Sequence, residues 1–199
     1  MTGRPARERI LDAAVERIAS DGIDAVRIAR IAMDARVSTA LVHYHFATRE
    51  ALLAEALEHS YETAGVVSEL SGGGGRDPIP RLRAMIDQCL PLPGELERDW
   101  VLWVELWLRA VRHPELRPTA AKLYARMNEW FRTTIEAGDF GVADAGAIAD
   151  RTLALIDGLG LRALLGDPAM PLARARSEVW HALAGDLDLR DEAASGLVR

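Results

Sequence analysis

The chain has 199 residues, 24 of them Lys or Arg and 30 Asp or Glu, for a formal net charge of −6. A composition of 49% hydrophobic and 27% charged residues excludes a disordered chain, and the length suffices for one large or two small domains with a real core. No run approaches the roughly 18 apolar residues of a membrane span. The N-terminal stretch has no signal-peptide core, and the single cysteine, Cys89, excludes an intrachain disulfide, so a cytoplasmic protein is expected.

Residues 1 to 5 read as a flexible basic arm. A first helix is predicted from about Ala6 to Ser20, with Ile10, Ala13, Ala14, Val15 and Ile18 as its buried stripe and Asp21-Gly22 as its stop. Ile28, Ile31, Ala32, Ala35 and Val42 then recur at three- and four-residue intervals, which is helical spacing. Ala35-Arg36-Val37-Ser38 breaks that rhythm, and Ser38 is placed to cap a new helix by accepting from an amide about one turn on. Two helices of about two turns joined by a tight turn form a helix-turn-helix, whose second helix suits a DNA major groove. Thr48 is the expected cap of a fourth helix, with Glu50 in its first turn and Leu52, Leu53, Ala56 and Leu57 along it toward Val67.

Gly72 to Gly75 read as a linker, since a phosphate-cradling loop would need Gly-Lys-Ser/Thr where Arg76-Asp77-Pro78 follows. Helix five is predicted over about Ile79 to Leu90, ended by Pro91 and Pro93. Helix six, about Leu96 to Arg112, carries Trp100, Trp103 and Trp107 on one face, and Glu105, Arg109 and Arg112 form only a narrow polar wedge. An apolar surface that wide predicts a helix central to its domain. Helix seven covers about Pro118 to Ala137, helix eight about Asp144 to Leu165, and helix nine about Leu172 to Ala184, before a charged tail from Asp186. No stretch alternates as a strand does. The expected fold is all-α, with about nine helices.

Charge alone does not point to nucleic acid. Among the first 60 residues eight arginines face nine acids, so DNA binding requires Arg4, Arg7, Arg27, Arg36 and Arg49 to be segregated on one surface. A strong dependence on salt would follow, because phosphate contacts carry much of such affinity.

Ile31-Ala32, Ala35, Val37-Ser38, Tyr44-His45-Phe46 and Arg49-Glu50-x-Leu52-Leu53, at this spacing, resemble the DNA-binding domain of the TetR family of bacterial repressors. The match runs without a gap from about Arg9 to Glu58. From Trp100 through Asp157-Gly158-Leu159 to Leu183, the helical pattern is similar to the branch containing the choline-responsive repressor of betaine synthesis. The resemblance implies a DNA-binding domain over residues 1–50 and an effector-binding, dimerising domain over residues 51–199, connected by helix four at about 48–68. It makes residues 38–45 the recognition helix, with Thr39, Ala40 and His43 facing bases. Tyr44 and Arg49 fall on positions that hold phosphates. Ser38, Arg27 and Arg36 complete the expected contact set. Two departures stand out: Arg36 replaces a usual turn glycine, and Arg27 replaces a frequent threonine. Were Arg36 left-handed, the conformation would cost about 1–2 kcal/mol, which a phosphate contact would offset.

The same resemblance implies a ligand-released repressor on double-stranded DNA, and two-fold pairing predicts a near-palindromic operator; no cofactor or enzymatic activity is expected, and no metal site, because His43 and His45 are two apart on a helix and point in different directions. Dimerisation is expected through a four-helix interface of helices eight and nine from two protomers, which would bury Leu153, Ile156, Leu159, Leu161 and Leu164 with Val179, Trp180 and Leu183, while Gly158 and Gly160 allow close approach; ordinary packing within the chain is the alternative. Pocket candidates are Met85, Cys89, Trp100, Trp103, Trp107, Tyr124, Met127, Trp130, Phe131 and Asp157. Tryptophans with scattered carboxylates suit a cation, a flat hydrophobic ligand suits them nearly as well, and a solid aromatic core is the plainer reading of the stripe. Cys89 reads as a small buried residue. The rival functions are an all-helical carrier or enzyme with a vestigial helix-turn-helix, and an architectural DNA binder without an effector. No nucleophile elbow, zinc motif or dinucleotide fingerprint supports catalysis.

Overall fold

The computed structural model describes residues 4–63 and 77–189. Within them lie nine α-helices: α1 (Ala6–Asp21), α2 (Ile28–Asp34), α3 (Thr39–His45), α4 (Arg49–Thr63), α5 (Pro78–Gln88), α6 (Glu95–Arg112), α7 (Arg117–Ala137), α8 (Ala145–Leu164) and α9 (Leu172–Asp186), with a 3-10 turn at Pro114–Leu116. Among the described residues there is no strand, and no helix is long and apolar enough to cross a membrane. The glycine run, the expected extension of helix four to Val67, the first three residues of the basic arm and the tail beyond residue 189 lie outside the described residues.

The chain divides into two compact units. The first comprises α1 to α4 with α6 from Arg98 onward and α7 as far as Leu123. In it α1 packs on α2, α3 and α4, and Ile10, Ile18, Ile31, Val42, Leu52 and Leu53 are buried. Each such aliphatic side chain contributes about 1.5–3 kcal/mol. Gly22 ends α1 with φ 76°, its amide donating to the Ile18 carbonyl at 3.0 Å; a left-handed residue closing a helix is the reason for glycine there. Thr48 caps α4, its Oγ1 accepting from the Ala51 amide at 3.0 Å.

Trp100, Leu102, Leu106 and Ala110 of α6 are buried, while its polar wedge reaches the helix-turn-helix. Arg98 pairs with Glu16 of α1 at 2.5 Å, Arg109 pairs with Asp24 in the α1–α2 turn, and Glu105 lies against Gly22. Lys122 of α7 pairs with Glu58 of α4 at 2.8 Å. The expectation that α6 is covered on nearly all sides needs correction, because Leu108 is 50% and Val111 72% exposed. One edge of its apolar arc thus meets solvent.

The second unit comprises α5, α7 from Tyr124, α8 and α9. Asp77 and Asp144 cap α5 and α8, accepting from the Ile79 amide at 3.0 Å and the Ala147 amide at 2.8 Å. α8 packs along α9, and α5 packs against α9. Arg83 lies 3.8 Å over the Trp180 ring, and Arg176 pairs with Asp87 at 2.5 Å. Leu153, Ile156, Gly160, Val179, Trp180 and Leu183 are buried within the chain itself, so these residues do not form an outward dimer surface. The positions that α8 and α9 leave open include the expected Gly158, with Leu155 on α8, Leu165 just past its end, and His181 and Gly185 on α9. Cys89 is buried, and burial, reinforced by the negative charge of Asp157, pushes its thiol up to about 12. A thiol protonated at neutral pH is an unreactive packing group.

Candidate nucleic-acid interface and ligand cleft

Two turns of helix hold α3 in place through its own inner face. Val42 is buried and Leu41 half-buried, and Phe46, which closes the helix, is buried with Arg7 5.5 Å over its ring. Thr39, Ala40, His43 and Tyr44 point outward together, because residues four apart share a face. Tyr44 is 81% exposed, which is where a core tyrosine would not be. His45 is half-buried and sits edge-on to Tyr44, ring centroids 5.3 Å apart. Ser38 precedes the helix in extended conformation, its hydroxyl oxygen accepting from the Leu41 amide at 3.1 Å. Replacing Ser38 by Ala removes that cap. The expected loss is about 1 kcal/mol, read as a fall of about 2–4 °C in Tm, and an unchanged Tm would show that the cap does not hold α3.

The arginines divide by what they hold. Arg4 pairs with Asp12 at 2.7 Å and Arg7 with Glu55, so both are neutralised by acids within the unit. Arg27 donates to the carbonyl oxygens of Asp24 at 2.9 Å and Val26 at 3.3 Å. Arg49 donates to those of Ile23 and, at 3.4 Å, Val26, with Glu50 3.7 Å away. These two guanidinium groups thus fasten the turn that leads into α2. Arg36 is exposed in the turn before α3. The gathering of Arg4, Arg7, Arg27, Arg36 and Arg49 expected from sequence therefore becomes a split. Arg4 and Arg7 serve ion pairs, Arg49 is shared between carbonyl oxygens and the more distant Glu50, Arg27 is held by carbonyl oxygens, and Arg36 stands exposed.

Distinct from this surface, the second unit contains an open cleft of about 440 Å³ between α7 and α8, lined by Tyr124, Ala125, Asn128, Asp150, Leu153, Ala154 and Asp157. Tyr124 Oη donates to Asp157 at 2.7 Å, and Asn128 Nδ2 donates to Asp150 at 2.6 Å. Burial holds the Asp157 carboxyl above the usual carboxylate range even though the tyrosine bond works the other way. Burial, and then the carboxylate beside it, likewise pushes the Tyr124 phenol well up. The cleft thus carries two acids and one phenol that stays protonated.

Of the ten predicted pocket residues, Tyr124 and Asp157 line this cleft. Met85, Cys89 and Phe131 are buried core of the second unit, and Met127 and Trp130 are half-buried in it. Trp100, Trp103 and Trp107 belong to the first unit, where Trp107 stacks edge-on to Trp100 at 5.9 Å and tilted to Trp103 at 6.0 Å. Asn128 and Asp150 were not among the sequence candidates. The signal was there in their spacing, Asn128 one turn beyond Tyr124 and Asp150 two turns before Asp157.

Residues 10–56 match the family model of bacterial regulatory proteins of the tetR family, and residues 78–188 that of the C-terminal part of BetI-type transcriptional repressors. The HTH-type transcriptional regulator BetI 1 of Chromohalobacter salexigens is 27% identical over 181 residues, covering 85% of this chain and 84% of its own. A transcriptional regulator from Saccharomonospora viridis, solved in complex with choline, superposes with a TM-score of 0.75 at 34% identity over 87% of this chain and 93% of its own. A TetR-family regulator from a Rhodococcus species superposes with a TM-score of 0.77 at 29% identity over 92% and 98%.

Proposed function

The chain belongs to the TetR family of bacterial transcriptional regulators and is a DNA-binding regulator rather than an enzyme; we propose that it acts in the cytoplasm as a homodimeric repressor released from its operator by a small organic cation. The observation that carries the DNA-reading half is the outward face of α3. Thr39, Ala40 and His43 offer a hydroxyl, a methyl and an imidazole to base edges. Tyr44 and Ser38 donate to phosphate through their hydroxyl hydrogens. Arg27 and Arg49 set the α2 entrance through the Ile23, Asp24 and Val26 carbonyl oxygens and leave their remaining N–H groups for the DNA backbone.

Dimerisation follows from what α8 and α9 leave uncovered. Arg151, Leu155, Gly158, Arg162 and Leu165 are exposed at alternating four- and three-residue steps on α8, and Arg174, Glu178, His181 and Gly185 at the same steps on α9. Residues at these steps share one side of each helix. Leu165 is 75% exposed, and Gly158 and Gly185 have open space where a Cβ would be, as close approach of another backbone requires. Two protomers joined here present two copies of α3 about one DNA turn (roughly 34–36 Å) apart.

The cation is supported by the two acids of the α7–α8 cleft and by the choline carried by the similar Saccharomonospora viridis regulator. An ammonium group beside Asp157 would compensate the charge that burial penalises. α7 carries both Tyr124 at the cleft and Lys122, which holds Glu58 of α4. A cation that binds one state of the protein better than the other shifts the population by its differential affinity. Selection of bound sequences from random duplex DNA tests the reading. Enrichment of one near-palindrome, released by choline, is expected, and no enriched sequence would contradict it.

A further inference from the structure

One residue in the helix-turn-helix stands in a conformation that its side chain does not favour. Arg36 has φ 56°. Its amide donates to the Met33 carbonyl at 3.1 Å, and the next amide, of Val37, donates to the Ala32 carbonyl at 2.9 Å. This six-residue closure ends α2 and fixes the turn into α3, and its left-handed position ordinarily takes glycine. The other non-glycine residues with positive φ in the described part of the chain, Asp139 and Asp188, are of a type that tolerates it. Arginine has no such excuse, since its long side chain forms no hydrogen bond back to the turn.

Among the described residues, the Arg36 side chain makes no hydrogen bond, ion pair or ring contact, and it is exposed. Arg4, Arg7 and Arg17 are held by carboxylates, and Arg27 and Arg49 by carbonyl oxygens. Arg36 thus brings a full positive charge, on a rigid backbone, to within three residues of Thr39 on the base-facing surface of α3, in a head where acids outnumber arginines. A strained residue kept at a functional surface points to a role that the fold itself does not supply.

We propose that Arg36 is a DNA phosphate contact particular to this chain, supplying a large share of the salt-dependent attraction that its acidic head otherwise lacks. The inference rests on the DNA-binding reading above and adds to it a contact from the turn. It carries no base preference, because a guanidinium on a phosphate reads charge and not sequence.

The test uses the full chain and a fluorescent duplex bearing the selected palindrome, titrated at several KCl concentrations. Arg36→Gly and Arg36→Asn both suit the left-handed turn and remove the charge, whereas Arg36→Lys keeps the charge. Arg36→Gly and Arg36→Asn should weaken binding by about tenfold or more, equally on the palindrome and on unrelated duplex. Each should flatten the slope of log affinity against log salt by about two, one phosphate for each protomer of the dimer. Arg36→Lys should keep the wild-type slope, and the Tm of Arg36→Gly should not fall below that of the wild type. Wild-type affinity and slope in Arg36→Gly overturn the assignment, as does a loss confined to one base pair of the operator. If the wild type retains no duplex at any salt concentration, the DNA-binding reading falls first and the Arg36 contact with it.

Discussion

Gly158→Leu should leave the protomer folded and strip it of operator binding. Gly158 is exposed in the interior of α8, with nothing within 4 Å of where its Cβ would be, so a leucine clashes with no atom of its own chain. Glycine in a helix interior is less favourable than a good helix former by about 0.8–1 kcal/mol, so the substitution should if anything raise the intrinsic stability of α8. Between two chains the sign reverses. A leucine side chain on each of two helices that meet at their glycines forces the backbones apart. The expected result is a monomer by sedimentation, with unchanged helical content and operator affinity lower by about 10²-fold or more, since two linked heads gain that much over one. A variant that stays dimeric and binds as the wild type would place the interface elsewhere.

Asp157→Asn should uncouple the protein from its cation while leaving DNA binding in the absence of cation intact. The carboxylate accepts from Tyr124 Oη at 2.7 Å inside the α7–α8 cleft. Choline's quaternary ammonium has no N–H to donate, so what Asp157→Asn removes is a charge pair; close pairs typically contribute about 1.5 kcal/mol or more, and the choline concentration that releases operator should rise about 10-fold or more. pH distinguishes this role further. Burial raises the Asp157 pKa, so its contribution to stability is fully present below the ordinary carboxylate value and is lost as pH rises through the raised one. At neutral pH the buried charge is thus a burden on the free protein, and Asp157→Asn should hold or raise the Tm. Choline affinity in the wild type should weaken as acid protonates Asp157, at a pH above the usual carboxylate range, while in Asp157→Asn it should be flat over that range. Release at the same choline concentration in both proteins would remove Asp157 from the ligand site.

The helices were legible because their signals are local. Ser38, Thr48, Asp77 and Asp144 stand where side-chain oxygens cap helices, and the inner residues of α1, α2 and α3 repeat at helical spacing. The outward α3 face was legible for the same reason. Partnership across the fold was not. The arginines at 27 and 49 look alike in sequence to the one at 36, yet they end on backbone carbonyl oxygens of the Ile23–Val26 turn. That depends on where a turn comes to rest, which no spacing encodes. The leucines of α8 were assigned outward because apolar residues occupy several of its faces, and only the packing of α9 decides which is covered. The tryptophans drew attention away from Asn128 and Asp150, whose amide and carboxylate pair joins two helices 22 residues apart in sequence.

Two copies of α3, one from each protomer of the proposed dimer, are expected to read neighbouring turns of one face of the duplex. Inserting five base pairs between the half-sites of the selected operator turns the second half-site to the opposite face, because repeats read by such pairs lie about 10–10.5 base pairs apart. Affinity for the lengthened operator should fall to that for a single half-site, and inserting ten should recover much of the loss. Equal affinity for the parent and the five-pair insertion would contradict it.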